Sequence, residues 1–264
     1  MASALRPRVG EPVLADGAGA AREQEAEGRA AMNSAVKDAV AFHSEIAAEF
    51  HASYQTHANR RERVQVWRGF LDRYARDARL AYDMGCGTGI LACELAARGI
   101  ETIGIDGSEA MLNIARDTAR NLGGAKMTFL QRMLPISDTA AYARADLIIS
   151  SSCIEYLESI PAALICFREL LRQRGVLIFS VSNHDSLSRK LVRFVNRLTG
   201  RPRYLGLLRH FMTAEEIRRD LQASDLVYLE HAYFAGADRF NRVLARFLPP
   251  QFTSNMIIVA ARRR

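Results

Sequence analysis

The sequence predicts an α/β protein: a doubly wound, mostly parallel sheet of seven strands, with an N-terminal helical cap and a helical insert after the fifth strand. Three observations predict it. Short apolar runs alternate with amphipathic stretches from Leu80 to Ala260, the βαβα order that yields a parallel sheet with helices on both faces. The first run, Leu80 to Met84, leads straight into Gly85-Cys86-Gly87-Thr88-Gly89, where glycines let the backbone turn sharply and approach a ligand closely. The second run ends on Asp106, and a carboxylate at that strand end can accept both hydroxyls of a ribose.

In chain order, residues 1–32 are rich in Ala, Gly, Arg and Glu without an apolar period, so disorder is expected. Met32 precedes the first helical segment and is a candidate natural start. Residues 33–76 form the expected helical cap. Val36, Val40, Phe42, Ile46, Phe50 and Tyr54 recur every three or four residues, as in one amphipathic helix or two. Arg60 to Ala75 is a further helix, with Val64, Trp67, Phe70 and Leu71 on its apolar side. Residues 77–264 are the expected sheet domain. After the strand at 80–84 comes a helix at 90–98, a strand at 100–106, and a helix capped by Ser108 and running to Arg120. Strands follow at 127–131 and 145–150. Ile160 to Arg172 reads as a helix with Pro161 in its first turn, and 176–181 as a fifth strand. Thr213 with Glu216 three residues on makes a capping box, opening a helix to Ala223. Strands at 226–234 and 256–260 follow without a clear long helix between them, which predicts an antiparallel edge strand.

The loop excludes one nucleotide class. A dinucleotide fingerprint needs a third glycine for close helix–strand packing, and Ile90 stands there. What remains is Asp83-x-Gly85-x-Gly87-x-Gly89, followed by Asp106. This resembles the first motif of class I S-adenosylmethionine-dependent methyltransferases, and the seven-strand pattern from about Phe42 to Ala260 looks like their Rossmann-like fold. The resemblance implies S-adenosyl-L-methionine as cofactor, with Asp83, Gly85, Cys86, Gly87 and Gly89 beneath its methionine part. It implies Asp106, Gly107 and Ser108 at the ribose and Met111 on the adenine. The family usually has an acid after strand three, before a Leu-Pro pair. Here Gln131, Arg132 and Met133 precede Leu134-Pro135, so Gln131 and Met133 are the adenine candidates. Ser150 opens the loop that in relatives touches the methionine part.

Ligands in open α/β sheets bind outside the carboxyl ends of the strands. That rule selects Glu155 and His184 as candidate catalytic groups and Tyr156 as a candidate acceptor contact. The insert adds His210 as a further catalytic candidate and Tyr204 and Arg209 as acceptor contacts. The resemblance, in which N-terminal helices cover the cofactor cleft, adds Tyr54. Glu155 reads equally as a solvated helix cap. The insert, 184–212, places Leu187, Leu191, Val195 and Leu198 on one helical face, and residues 185–210 carry seven Lys and Arg against one acid. Such a helix is a lid over an anionic acceptor, a contact with an anionic membrane surface, or a solvated helix packed on the domain.

The chain has 264 residues, is 49% hydrophobic and 25% charged, and carries a net charge of +7. This is ordinary globular composition. No apolar window is long enough to span a bilayer, and the N-terminus lacks the apolar core of a signal peptide, so a cytoplasmic setting is expected. Cys86, Cys93, Cys153 and Cys166 match no zinc spacing and read as reduced core residues. No metal is expected. The expected function is methyl transfer to an O or N of a small, anionic metabolite. The alternatives are methylation of a membrane-borne lipid or quinone precursor, and a non-catalytic cofactor-binding partner protein, which the missing acid after strand three would suit. Nucleic acid is disfavoured because Ser150 to Tyr156 does not resemble an Asn-Pro-Pro-Tyr element. The oligomeric state stays open.

Overall fold

A parallel strand buried on both faces must be apolar throughout, and that requirement sets the centre of this molecule. The computed structural model describes residues 34–122, 126–236 and 238–264; the expected disordered segment and its end at residue 32 lie outside them. Three helices come first: α1 (Ser34–Glu45), α2 (Ala47–Thr56) and α3 (Ala58–Tyr74). The break between α2 and α3 falls at His57, whose backbone is extended (φ −94°, ψ 127°). α3 buries Trp67, Phe70 and Leu71 against Ala81, Leu147 and Ile178 of the sheet.

The alternation then runs β1 (Leu80–Met84), α4 (Ile90–Ala96), β2 (Glu101–Asp106), α5 (Glu109–Asn121), β3 (Met127–Gln131), β4 (Ala145–Ser151), α6 (Ile160–Leu170) and β5 (Leu171–Ser182). The insert holds α7 (Leu187–Thr199) and α8 (Arg203–Leu207). After it come α9 (Ala214–Ala223), β6 (Leu226–Phe234), α10 (Arg239–Leu244), α11 (Pro250–Thr253) and β7 (Met256–Arg263). The predicted caps form. Ser108 Oγ accepts from the Met111 amide, and Thr213 with Glu216 closes the capping box. Ser159 Oγ, ahead of Pro161, adds a cap the pattern did not show, accepting from the Ala162 amide. α6 ends earlier than its pattern suggested, because Leu171 already pairs with Ala145 of β4.

The strand order is β3-β2-β1-β4-β5-β7-β6. β7 pairs antiparallel with both β5 and β6, so the antiparallel strand is internal and β6 is the edge. This corrects the expected edge strand. The reason is in the side chains: Met256 to Ala261 is buried on both faces, whereas β6 carries Glu230, His231 and Tyr233 on partly exposed positions. Because the chain reverses its direction of travel between β1 and β4, a crevice opens at their carboxyl ends, the usual place for a ligand in such a sheet. α1 packs on α5 and α8 above that crevice, and Ser44 Oγ meets Ser108 Oγ at 2.7 Å.

Candidate active site

The glycine loop is built by close approach. Gly85 has φ +75°, and a Cβ there would lie 2.3 Å from Cys153 Sγ, so the β1 and β4 loops touch only because this residue has no side chain. Gly87 also has positive φ (+52°). Its amide donates to Asp106 Oδ2 at 2.9 Å, while the Ser108 amide donates to Asp106 Oδ1 at 2.9 Å. Asp106 therefore ties the first glycine loop to the second strand's end. A carboxylate has about four lone-pair sites, so acceptor capacity remains for further donors. Burial pushes the Asp106 carboxyl up from its ordinary value, against the amides of Ser108 and Gly87, which favour the ionised form.

These residues floor a cavity of about 1330 Å³, roofed by α1, α2 and the insert helices. Single small-ligand pockets run about 300–1,000 Å³, so this one has room for two molecules. Gly107, Met111 and Met133 form an apolar wall beside Asp106. Arg63, Glu155, Tyr156 and Arg189 line the same cavity.

A smaller cavity of about 40 Å³ adjoins the loop, lined by Asp83, Thr88 and Ser151 among others. Asp83 Oδ2 and Thr88 Oγ1 are buried without a hydrogen-bond partner among the described residues. Burial, and next the charge of Asp106, push the Asp83 carboxyl up to about 8. Its ordinary value is about 4. Between these values the folded chain keeps a proton that the unfolded chain has lost, so this group's contribution to stability falls as pH rises through that window. Two orphaned acceptors next to a glycine loop suit a cationic ligand group.

The family described as "Methyltransferase domain" matches residues 54–231. This chain belongs to that methyltransferase family. The methyltransferase chain is similar to the ubiquinone biosynthesis O-methyltransferase of Rhodopseudomonas palustris, 25% identical over 67% of this chain and 69% of that one. It is 35% identical to the protein of the same name from Acinetobacter baylyi, over 40% of this chain and 44% of the relative; it thus spans less than half the length of that relative. Its fold is similar to the magnesium protoporphyrin IX methyltransferase from Synechocystis, solved with bound SAM (TM-score 0.62, 18% identity, covering 89% of this chain and 99% of that one). It is also similar to an N-methyltransferase from Bradyrhizobium japonicum, solved with S-adenosylhomocysteine (TM-score 0.56, 18% identity, 80% and 90% covered).

The residues present in this methyltransferase chain fit S-adenosylmethionine on their own chemistry. Asp106 keeps free acceptor sites, the glycine loop is held open by Gly85 and Gly87, and Oδ2 of the buried Asp83 lacks a donor among the described residues. Of the sequence-selected positions, Tyr54, Gly85, Gly87, Asp106, Gly107, Met111, Met133, Glu155, Tyr156 and Tyr204 line the large cavity, and Asp83 and Cys86 the small one.

Seven positions stand elsewhere. Gly89, at φ +77°, starts α4 and sits 3.0 Å (as a Cβ) from Ala115, so it serves helix packing. Ser108 is spent capping α5. Ser150 Oγ donates to the Met84 carbonyl and is fully buried between strands. Gln131 is exposed and donates to the Gly107 carbonyl at 3.1 Å, outside the cavity. His184 faces solvent beside Asp185. His210 turns onto the Leu157 carbonyl at 3.0 Å. The Arg209 side chain is exposed, and only its amide serves the site, donating to the Glu155 carbonyl at 2.9 Å.

Sequence reasoning missed His43, Arg60, Arg63 and Arg189 on the cavity wall. His43 meets Tyr156 edge-on at 5.0 Å, and burial holds its imidazole below the ordinary value. Arg60 lies over the Phe50 and Tyr54 rings at 4.3 and 5.1 Å. The only signal for Arg60 and Arg63 was their three-residue spacing, which puts them on one helix face. Arg189 was one of seven basic residues in its stretch, and nothing distinguished it.

Proposed function

We propose that this chain binds S-adenosylmethionine and transfers its methyl group to an oxygen of a small acceptor. The observation that carries the proposal is Asp106, locked by two backbone amides between the glycine loop and Ser108 at the floor of a cavity large enough for both reactants. When bound, the cofactor supplies a methyl group on a sulfonium. Asp106 accepts from the ribose, Met111 and Met133 cover the adenine, and Asp83 answers the charge of the ammonium. The helices α1, α2 and α7 exclude water and align the acceptor. The names of the curated relatives support oxygen as the accepting atom.

Calorimetric titration with S-adenosylmethionine tests this. We expect binding with release of a proton at pH 7, because an ammonium favours the ionised form of Asp83, which is largely protonated beforehand. The apparent enthalpy then varies with the buffer's ionisation enthalpy, and Asp83→Asn removes that variation. No binding to the pure chain would sink the proposal.

One surface favours an acceptor drawn from a membrane. On α7, Leu191, Val195, Phe194 and Leu198 are exposed, the last two by 60% and 72%, and Phe240 and Phe247 stand exposed beyond Asn241, which binds Ser188 of α7 at 3.0 Å. Lys190, Arg193 and Arg197 flank the row. An apolar row edged with cations suits an anionic lipid surface, and Leu191 and Phe240 also line the cavity mouth. The chain should co-sediment with phosphatidylglycerol-containing vesicles and less with pure phosphatidylcholine; a Phe194→Glu, Leu198→Glu variant that sediments equally well would refute this docking. Among the described residues no helix is long and apolar enough to cross a membrane.

A further inference from the structure

The part of the cavity lining that carries Arg63, Glu155 and Arg189 has its own chemistry. Glu155 is 2% exposed. Its carboxylate accepts a long bond from Ser182 Oγ at Oε1 (3.4 Å) and one from its own backbone amide, and Oε2 has no partner among the described residues. Its backbone is pinned, because its carbonyl accepts the amides of Arg209 and His210. Arg189, on α7, gives one guanidinium nitrogen to the Tyr204 hydroxyl (3.0 Å), and its buried Nε is also without a partner among the described residues. Arg63, on α3, anchors on Ser151 Oγ and Ser152 Oγ at 3.0 and 2.6 Å. Both guanidinia act on Glu155 as charges.

We infer that Glu155, Arg63 and Arg189 form an acceptor subsite for a hydroxylated aromatic carboxylate: the two arginines hold the carboxylate, and Glu155 Oε2 takes the proton of the hydroxyl that is methylated. The inference rests on the cofactor reading for its transfer step. A buried acceptor and a buried donor without partners each cost free energy, and one ligand carrying a hydroxyl donor and an anion answers both. Charge decides between ligand classes. Two cations against one carboxylate repel a protonated amine, and an anion lacking a hydroxyl leaves Glu155 unsatisfied. The remaining wall is aromatic: Phe50, Tyr54, His43 and Tyr156 meet edge to face at 5.0 to 6.4 Å, a surface on which a ring packs favourably. Burial pushes the Glu155 carboxyl up to about 7. A base of that strength suits an aromatic hydroxyl better than an aliphatic one, whose proton is several orders of magnitude less acidic. The hydroxyl proton passes to Oε2, the oxygen's electron pair bonds the methyl carbon, and the methyl–sulfur pair leaves with sulfur.

The test uses the full chain saturated with S-adenosylhomocysteine, whose own binding is measured first. Into it are titrated meta-hydroxybenzoate, benzoate and phenol. We expect meta-hydroxybenzoate to bind at least tenfold more tightly than either fragment. Arg189→Met should remove the advantage over phenol, and Glu155→Gln the advantage over benzoate. The groups facing Glu155 are Arg63 from α3, Arg189 from α7, Tyr156, Tyr204 from α8, the Cys153 thiol, which burial pushes up, and, beyond Tyr156, the His43 imidazole, which burial pushes down. Glu155 is the one carboxyl among them, so affinity should rise between about pH 6 and 8 as it ionises and be flat in Glu155→Gln. The fragment comparison is made on the unaltered chain and does not depend on either variant folding. If S-adenosylhomocysteine binds but meta-hydroxybenzoate binds no better than its fragments, the subsite is overturned while the cofactor reading stands. Failure of S-adenosylhomocysteine to bind overturns both.

Discussion

Asp106→Ala should weaken S-adenosylmethionine binding by more than tenfold. The side chain does two things at once. It accepts the Gly87 and Ser108 amides, each at 2.9 Å, and so fixes the glycine loop against the second strand's end. Its remaining lone pairs are the acceptors available to a ribose. Hydrogen bonds to a charged group are worth about 1.5–3 kcal/mol, and loss of one alone is about tenfold in affinity. Asp106→Asn should lie between, since its NH₂ cannot accept from an amide and one tie breaks. Calorimetry on the three proteins measures this, with a thermal melt to confirm that each is folded. Equal affinities would show that the loop holds something other than a ribose.

Gly85→Ala should cost both stability and cofactor binding. Two penalties combine. Left-handed backbone costs a side chain roughly 1–2 kcal/mol. The new Cβ would also stand 2.3 Å from Cys153 Sγ and 2.5 Å from its Cβ, which a rotamer change cannot relieve, so the β1 or β4 loop must move. Gly99 is the control. It has φ +79° with nothing within 4 Å of an added Cβ, so Gly99→Ala carries the backbone penalty alone. For a domain of this size about 1 kcal/mol shifts Tm by ~2–4 °C. Gly99→Ala should fall by a few degrees with affinity unchanged; Gly85→Ala should fall further and lose binding. Equal melting temperatures and equal affinities would remove the close approach from the account.

The seven strands were legible because a buried parallel strand must be apolar and each glycine or cap between them has a local cause. Leu80 to Met84, Met127 to Gln131 and Leu226 to Phe234 were bounded from sequence as the structure has them. The place of β7 was less legible, since its antiparallel direction followed from the short connection but its position between β5 and β6 depends on which strand can be buried on both faces. On the site, Asp83, Gly85, Gly87 and Asp106 could be read because they lie within one strand–loop–helix–strand unit. His184 and His210 could not be placed: one follows β5 and turns to solvent, and the other lies late in the insert and turns to the Leu157 carbonyl. Arg63 and Arg189 were missed for the opposite reason, as neither carries a motif.

The sequence by itself determined the backbone of the cofactor half. Positive φ at glycine, helix caps and strand burial are local energies, fixed by residue type within a few positions. Only the tertiary structure decided the acceptor half. Arg63, Glu155 and Arg189 come from α3, the loop after β4 and α7, and they line one cavity although they are far apart in sequence. Convergence of that kind is set by long-range burial and by side-chain direction at the end of each element, and neither is encoded in the spacing of the residues that meet.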